Sequence, residues 1–190
     1  TLLYALNTQT SPATQAADAL CDKRASPLVI HLNSNPDRPQ AIELSSQDNG
    51  VRFDLLGARG NHQLVQISWF TNSEYGMLAL PDANGEVHGV DQLFGDNTFG
   101  PDGRFADNGY AALAKYDSNK DGKIDNKDSV FSKFCVWVDR NRDGIGQRDE
   151  MISLRKAGIT FVDLDYSTAF AETDKYGNQT LMKSVVGRAD

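Results

Sequence analysis

Short apolar runs separated by Asn, Asp, Gly and Pro clusters dominate the first half of the chain. "PLVIHL", "AIEL", "VRFDLL" and "HQLVQISWF" alternate, or are rich in β-branched and aromatic residues, and "GMLAL" repeats the texture. Runs of this kind, bounded by turn formers, predict strands and hairpins from Pro27 onward. Residues 1–26 are rich in Ser, Thr, Ala and Gln. They read as a linker or lead-in segment, with a helix across "ATQAADALCDK". Residues 27–190 are then expected to form one domain.

Beyond about residue 104 the hydrophobic period lengthens. "ADNGYAALAKY" sets Tyr110, Leu113 and Ala114 at helical spacing, with Asp107 or Asn108 as N-cap. "DNKDSVFSKF" opens on cap residues and predicts a second short helix. "QRDEMISLRKAG" predicts a third: Asp149 and Glu150 lie near its start, Lys156 in its last turn, and Gly158 is a stop signal. "ITFVDLDY" reads as a strand, and "MKSVV" is the strand-like piece of a polar tail.

Composition narrows the field. The chain has 190 residues, 39% hydrophobic and 24% charged, enough to build a packed core. Its net charge of -7 repels phosphate backbones, so nucleic acid is not an expected partner. No apolar run is long enough to span a bilayer. The start lacks a basic region followed by a sustained apolar stretch, so no signal peptide is expected. Cys21 and Cys135 are far apart and without a CxxC pattern; one disulfide or two free thiols fit equally. His31, His62 and His88 are scattered without zinc spacing and read as surface or packing residues, and Trp69 and Trp137 read as core.

The chemistry is concentrated in "DSNKDGKIDNKD", residues 117–128. Its spacing fits the twelve-residue calcium loop of an EF-hand. Asp117, Asn119 and Asp121 take positions 1, 3 and 5, Gly122 permits the turn, and Lys123 offers its backbone carbonyl. Asp125 binds directly or through water at position 9, and Asp128 closes the loop. A second loop, "DRNRDGIGQRDE", spans residues 139–150: Asp139, Asn141, Asp143, the carbonyl of Ile145, Gln147 and the closing Glu150. Ca²⁺ takes six to eight hard oxygens at about 2.3–2.6 Å, and a tight loop turns alternate side chains inward to supply them. Carboxylates this close repel one another without a cation. Two Ca²⁺ ions are therefore the expected cofactors. Ten residues separate the loops. The expected class is thus α+β: N-terminal strands and hairpins, followed by short helices carrying two EF-hand-type loops that share one connecting segment.

In order along the chain, "SPLVIHL", "VRFD", "SWF", "GMLAL", "QLFGD", "GYAALAKYDSNKDGKID", "VWVDRNRDGIGQRDE" and "LRKAGITFVDLDY" resemble the calcium-dependent self-processing module of secreted bacterial RTX proteins. The resemblance implies a secreted, extracellular, surface or periplasmic location and folding driven by Ca²⁺. In active members it implies cleavage of an Asp–Pro bond at the start of the module, with the freed aspartyl group able to join a lysine amine. Here the junction is Ser26–Pro27, and a serine hydroxyl cannot form the cyclic anhydride that an Asp carboxylate forms with its own carbonyl. Two further calcium segments implied by the resemblance are eroded. One is "HLNSNPD", with His31, Asn33 and Asn35. The other is "LPDANGEVHGVDQ", where Leu80, His88 and Gln92 replace ligands while Asp82, Asn84 and Asp91 remain. The expected function is a calcium-binding module without self-cleavage, partnered by calcium and by another protein or the rest of a larger secreted chain. The alternatives are cleavage or transpeptidation at the variant junction, and a calcium-ordered docking module.

Overall fold

The apolar runs pair edge to edge into a nine-stranded antiparallel sheet. The structure is a computed structural model that describes residues 2–7, 27–32, 42–169 and 171–189. The strands are β1 (Leu2–Asn7), β2 (Leu28–His31), β5 (Tyr75–Ala79), β6 (Lys123–Asp125), β7 (Cys135–Trp137), β8 (Met151–Ser153), β9 (Ile159–Asp163), β10 (Glu172–Thr173) and β11 (Gln179–Arg188). Their order is β6-β9-β11-β1-β2-β5-β7-β8, with β10 paired to β11. A separate hairpin is made of β3 (Val51–Phe53) and β4 (Val65–Ile67).

Both faces of the sheet are covered, which is why its central strands read as continuous apolar runs. In β2, Leu28 and Ile30 face one side and Val29 the other; in β5, Leu78 opposes Met77 and Ala79. The first face packs Val29, Met77, Ala79 and Trp137 against Phe53, Ile67 and Trp69 of the hairpin region. The second packs Leu3, Leu28, Leu78 and Val136 against Phe94, Phe134 and the helix α1 (Gly109–Ala114). Asn108 caps α1, its Oδ1 accepting the Ala111 N–H at 2.9 Å.

The expected class does not hold: among the described residues the regular structure is mostly β, and the helices meant to carry the two loops are absent apart from α1. "DNKDSVFSKF" forms a single 3₁₀ turn at Phe131–Lys133. "QRDEMISLRKAG" forms a 3₁₀ turn at Arg148–Glu150 and then β8. The cause is pairing across the sheet. β8 lies against β7 with Val136 opposite Ile152 and Trp137 opposite Met151, and burial of those pairs outweighs local capping signals. "AIEL" yields an isolated bridge from Leu44 to Phe70 rather than a strand. Residues 2–7, within the expected lead-in, form β1 in mid-sheet. The helix expected across "ATQAADALCDK" lies outside the described residues, as do Ser26, Asn33 and Asn35.

Candidate metal centre

Residues 139–150 join β7 to β8, so this loop closes a β-hairpin instead of linking two helices. Its ends are buried and held by the core. Asp139 Oδ2 accepts the Trp69 indole N–H at 2.7 Å and the Gly144 N–H at 2.9 Å, while Oδ1 accepts the Arg142 N–H at 2.7 Å. Glu150 Oε2 accepts the Trp137 indole N–H at 3.2 Å, and Oε1 accepts the Arg140 N–H at 2.7 Å. The two indoles meet edge to face, 5.7 Å between centroids. Burial pushes the Asp139 carboxyl up, as the nearby Glu150 charge also does, against the hydrogen bonds it accepts. Asn141 and Gln147 both donate to Asp143 Oδ2 at 2.8 Å, and Ile145 N–H donates to Asp143 Oδ1 at 2.8 Å.

The loop at 117–128 repeats this wiring. Asp117 Oδ2 accepts the Gly122 N–H at 3.0 Å, as Asp139 accepts that of Gly144. Asp128 Oδ1 accepts the Ser118 N–H at 2.8 Å, as Glu150 accepts that of Arg140. Asn119 Nδ2 donates to Asp121 Oδ2 at 2.9 Å, and Lys123 N–H donates to Asp121 Oδ1 at 3.2 Å. Asp128 is buried, which works to raise its carboxyl. The N–H groups of Asp125 and Ser118 outweigh that and hold it below the usual range. Lys127 Nζ lies 2.7 Å from Asp121 and 3.4 Å from Asp125, and its hydrogen bond lowers the Asp121 carboxyl. Lys123, Ile124 and Asp125 of this loop constitute β6, with Ile124 opposite Val162 of β9. The two loops therefore stand at different places in the sheet.

Among the described residues, no three His, Cys, Asp or Glu side chains are gathered as a ready metal cluster. The donor sets here are mixed, carboxylates with amides and main-chain carbonyls, the hard-oxygen kind that suits Ca²⁺ or Mg²⁺. One buried oxygen in each loop, Asp117 Oδ1 and Gln147 Oε1, accepts no hydrogen bond. Such an oxygen is costly unless a cation or donor meets it, so the residues present fit a hard divalent ion. Those that would hold it are Asp117, Asn119, Asp121, Lys123 through its carbonyl, Asp125 and Asp128. In the other loop they are Asp139, Asn141, Asp143, Ile145 through its carbonyl, Gln147 and Glu150.

Contacts invisible to local spacing complete the picture. Trp69 and Trp137, core residues as expected, also donate to the carboxylates that open and close the second loop. His62 Nδ1 lies 2.8 Å from Asp54 Oδ2 and 3.9 Å from Asp91. His31 is buried and stacks on Tyr75 at 4.5 Å. Pro27 is buried at the entrance to β2. Cys135 is half-buried in β7, and burial raises its thiol; Cys21 lies outside the described residues. No helix among the described residues is long and apolar enough to cross a membrane.

A family model described as the SPM domain matches residues 28–190. The chain is 47% identical over 138 residues to the iron-regulated protein FrpA of Neisseria meningitidis serogroup C. That match covers 67% of this chain and 12% of the relative, so the chain spans a small part of the relative's length.

Proposed function

The chain belongs to the SPM domain family, and from that premise we propose that it is a calcium-binding module of a secreted bacterial protein, one that rigidifies on binding and does not cleave itself. The observation that carries the reading is the shared wiring of two loops. In each, the first carboxylate accepts the glycine N–H, the last accepts the N–H of the second residue, and one buried oxygen is left without a donor. Two divalent ions would take the formal charge from -7 to -3 and relieve the repulsion within each loop. Binding to the folded state alone raises stability by mass action, and extracellular calcium near millimolar suffices even for modest sites. The resemblance to the self-processing module of RTX proteins supports the secreted setting. Ser26 in place of the junction Asp removes the carboxylate that would attack.

A thermal melt paired with intact-mass measurement, before and after about 2 mM Ca²⁺, tests this. The expected result is a higher melting temperature at unchanged mass. An unchanged melt overturns the calcium reading. A new fragment beginning at Pro27 overturns the loss of cleavage.

A further inference from the structure

The turn Leu80–Asp91 has the shape of a third loop. Gly85, at its sixth position, has φ +80°, beside +82° for Gly122 and +75° for Gly144. Asp82 Oδ1, at the third, accepts the Asn84 N–H at 2.9 Å, as Asn119 accepts that of Asp121 and Asn141 that of Asp143. Its first position, however, is the aliphatic Leu80. Its second is Pro81, which has no N–H for a closing carboxylate to accept. Asp91 turns instead toward His62, 3.9 Å away. The turn is closed by the main chain, Leu80 N–H to the Gln92 carbonyl at 2.8 Å. His88 lies 3.2 Å from Glu86 and 4.0 Å from Asp82. The buried Asp91 Oδ1 accepts no hydrogen bond, as in the other two loops, but with no ligand at the first position and no N–H at the second the turn lacks the wiring those loops share.

This turn is docked on the second loop at matching positions. Val87 and Gly146, eighth in each, exchange two main-chain hydrogen bonds, Val87 N–H to Gly146 at 3.0 Å and Gly146 N–H to Val87 at 2.7 Å. Arg148 Nε donates to the Asn84 carbonyl at 3.1 Å, and its Nη2 reaches the same oxygen. Those bonds immobilise Ile145 to Gln147, the stretch that presents the seventh and ninth donors of the second loop.

We infer that Leu80–Asp91 is an ion-free partner that holds residues 139–150 ready for calcium, with Arg148 as the positioning residue between them. This rests on the calcium reading above. Arg148 coordinates nothing in it. Charge alone predicts that removing a cation beside the loop tightens Ca²⁺ binding; positioning predicts the opposite, so the sign of the effect decides.

The experiment is a Ca²⁺ titration of the whole chain, reading the Gly122 and Gly144 amide resonances for the two loops separately, with stoichiometry from calorimetry. Two ions are expected. Arg148→Ala should weaken binding at Gly144 about tenfold, in keeping with loss of a charge-assisted hydrogen bond. It should leave binding at Gly122 unchanged, and Arg148→Lys should recover part of the loss. Arg142→Asn, which removes the same charge at an exposed position with φ +58°, should not weaken either loop. Equal or tighter binding in Arg148→Ala overturns the positioning role, and a third ion overturns the ion-free turn. Absence of any binding in the parent chain instead overturns the calcium reading itself.

Discussion

The indole N–H of Trp69 donates to Asp139 Oδ2 at 2.7 Å, across 70 residues of sequence. A core aromatic thus sets the direction of the carboxylate that opens the second loop. Trp69→Phe keeps most of the ring and removes the donor. Its expected cost is about 2 kcal/mol of stability, for a buried bond to a charged group, together with weaker Ca²⁺ binding at Gly144. Urea denaturation and the calcium titration measure the two effects. Full retention of both would show that the contact is incidental.

Glu150→Gln keeps the shape that closes the second loop but removes its charge. Calcium affinity at that loop should fall by roughly tenfold or more, since charge count and bidentate closure set affinity. The loop at 117–128 should be unaffected. Calorimetry at moderate calcium should show one ion in place of two.

Lys127 pairs with Asp121 and Asp125 and would compete with a cation bound there. Lys127→Gln should tighten the first loop by up to about fivefold, the scale of an exposed ion pair. Weaker binding would mean that the lysine organises the loop rather than competing in it.

Gly122 and Gly144 both sit at positive φ, but their surroundings differ. A Cβ at Gly122 meets nothing within 4 Å, whereas at Gly144 it comes to 3.0 Å from Val51 Cγ2 and 3.2 Å from the Arg52 carbonyl. Gly122→Ala should cost about 1 kcal/mol, the conformational penalty alone. Gly144→Ala should cost clearly more. Paired denaturation curves test the ranking.

Two histidines should tilt the pH profile in opposite directions. The hydrogen bond and charge of Asp54 raise the His62 imidazole above its ordinary 6.5. Its stabilising effect is full below that value and fades as pH rises through the folded-state pKa. Burial lowers the His31 imidazole, against the opposing charge of Glu74. Its effect is present above 6.5 and fades as pH falls. His62→Gln should therefore flatten the alkaline side of a calcium-free melting profile, and His31→Gln the acid side.

The acidic loops at 117–128 and 139–150 were legible as turns because their polar side chains are neighbours in sequence, at the fixed offsets that a turn around an ion would demand. The strands of β2, β5 and β9 were legible for a similar reason, since apolar runs bounded by turn formers announce themselves. The helices failed because Glu150 and Asp149 look like a helix start, yet Ile152 gains more by burying opposite Val136. The Trp69–Asp139 and Arg148–Asn84 contacts join residues 70 and 64 positions apart, and no local pattern encodes them.

β1 lies between β11 and β2, pairing Leu2 with Val185 and Leu3 with Ile30. On one side stand β11, β9 and β6, which includes part of the first loop. On the other stand β2, β5, β7 and β8, which frame the second. Six residues are thus the keystone of the sheet, and they precede the residues 28–190 that define the family. Prising out β1 would break the hydrogen-bonded continuity between two half-sheets, each with its own acidic loop. Anything that grips or frees that strand would decide whether the two loops belong to one elastic body or to two.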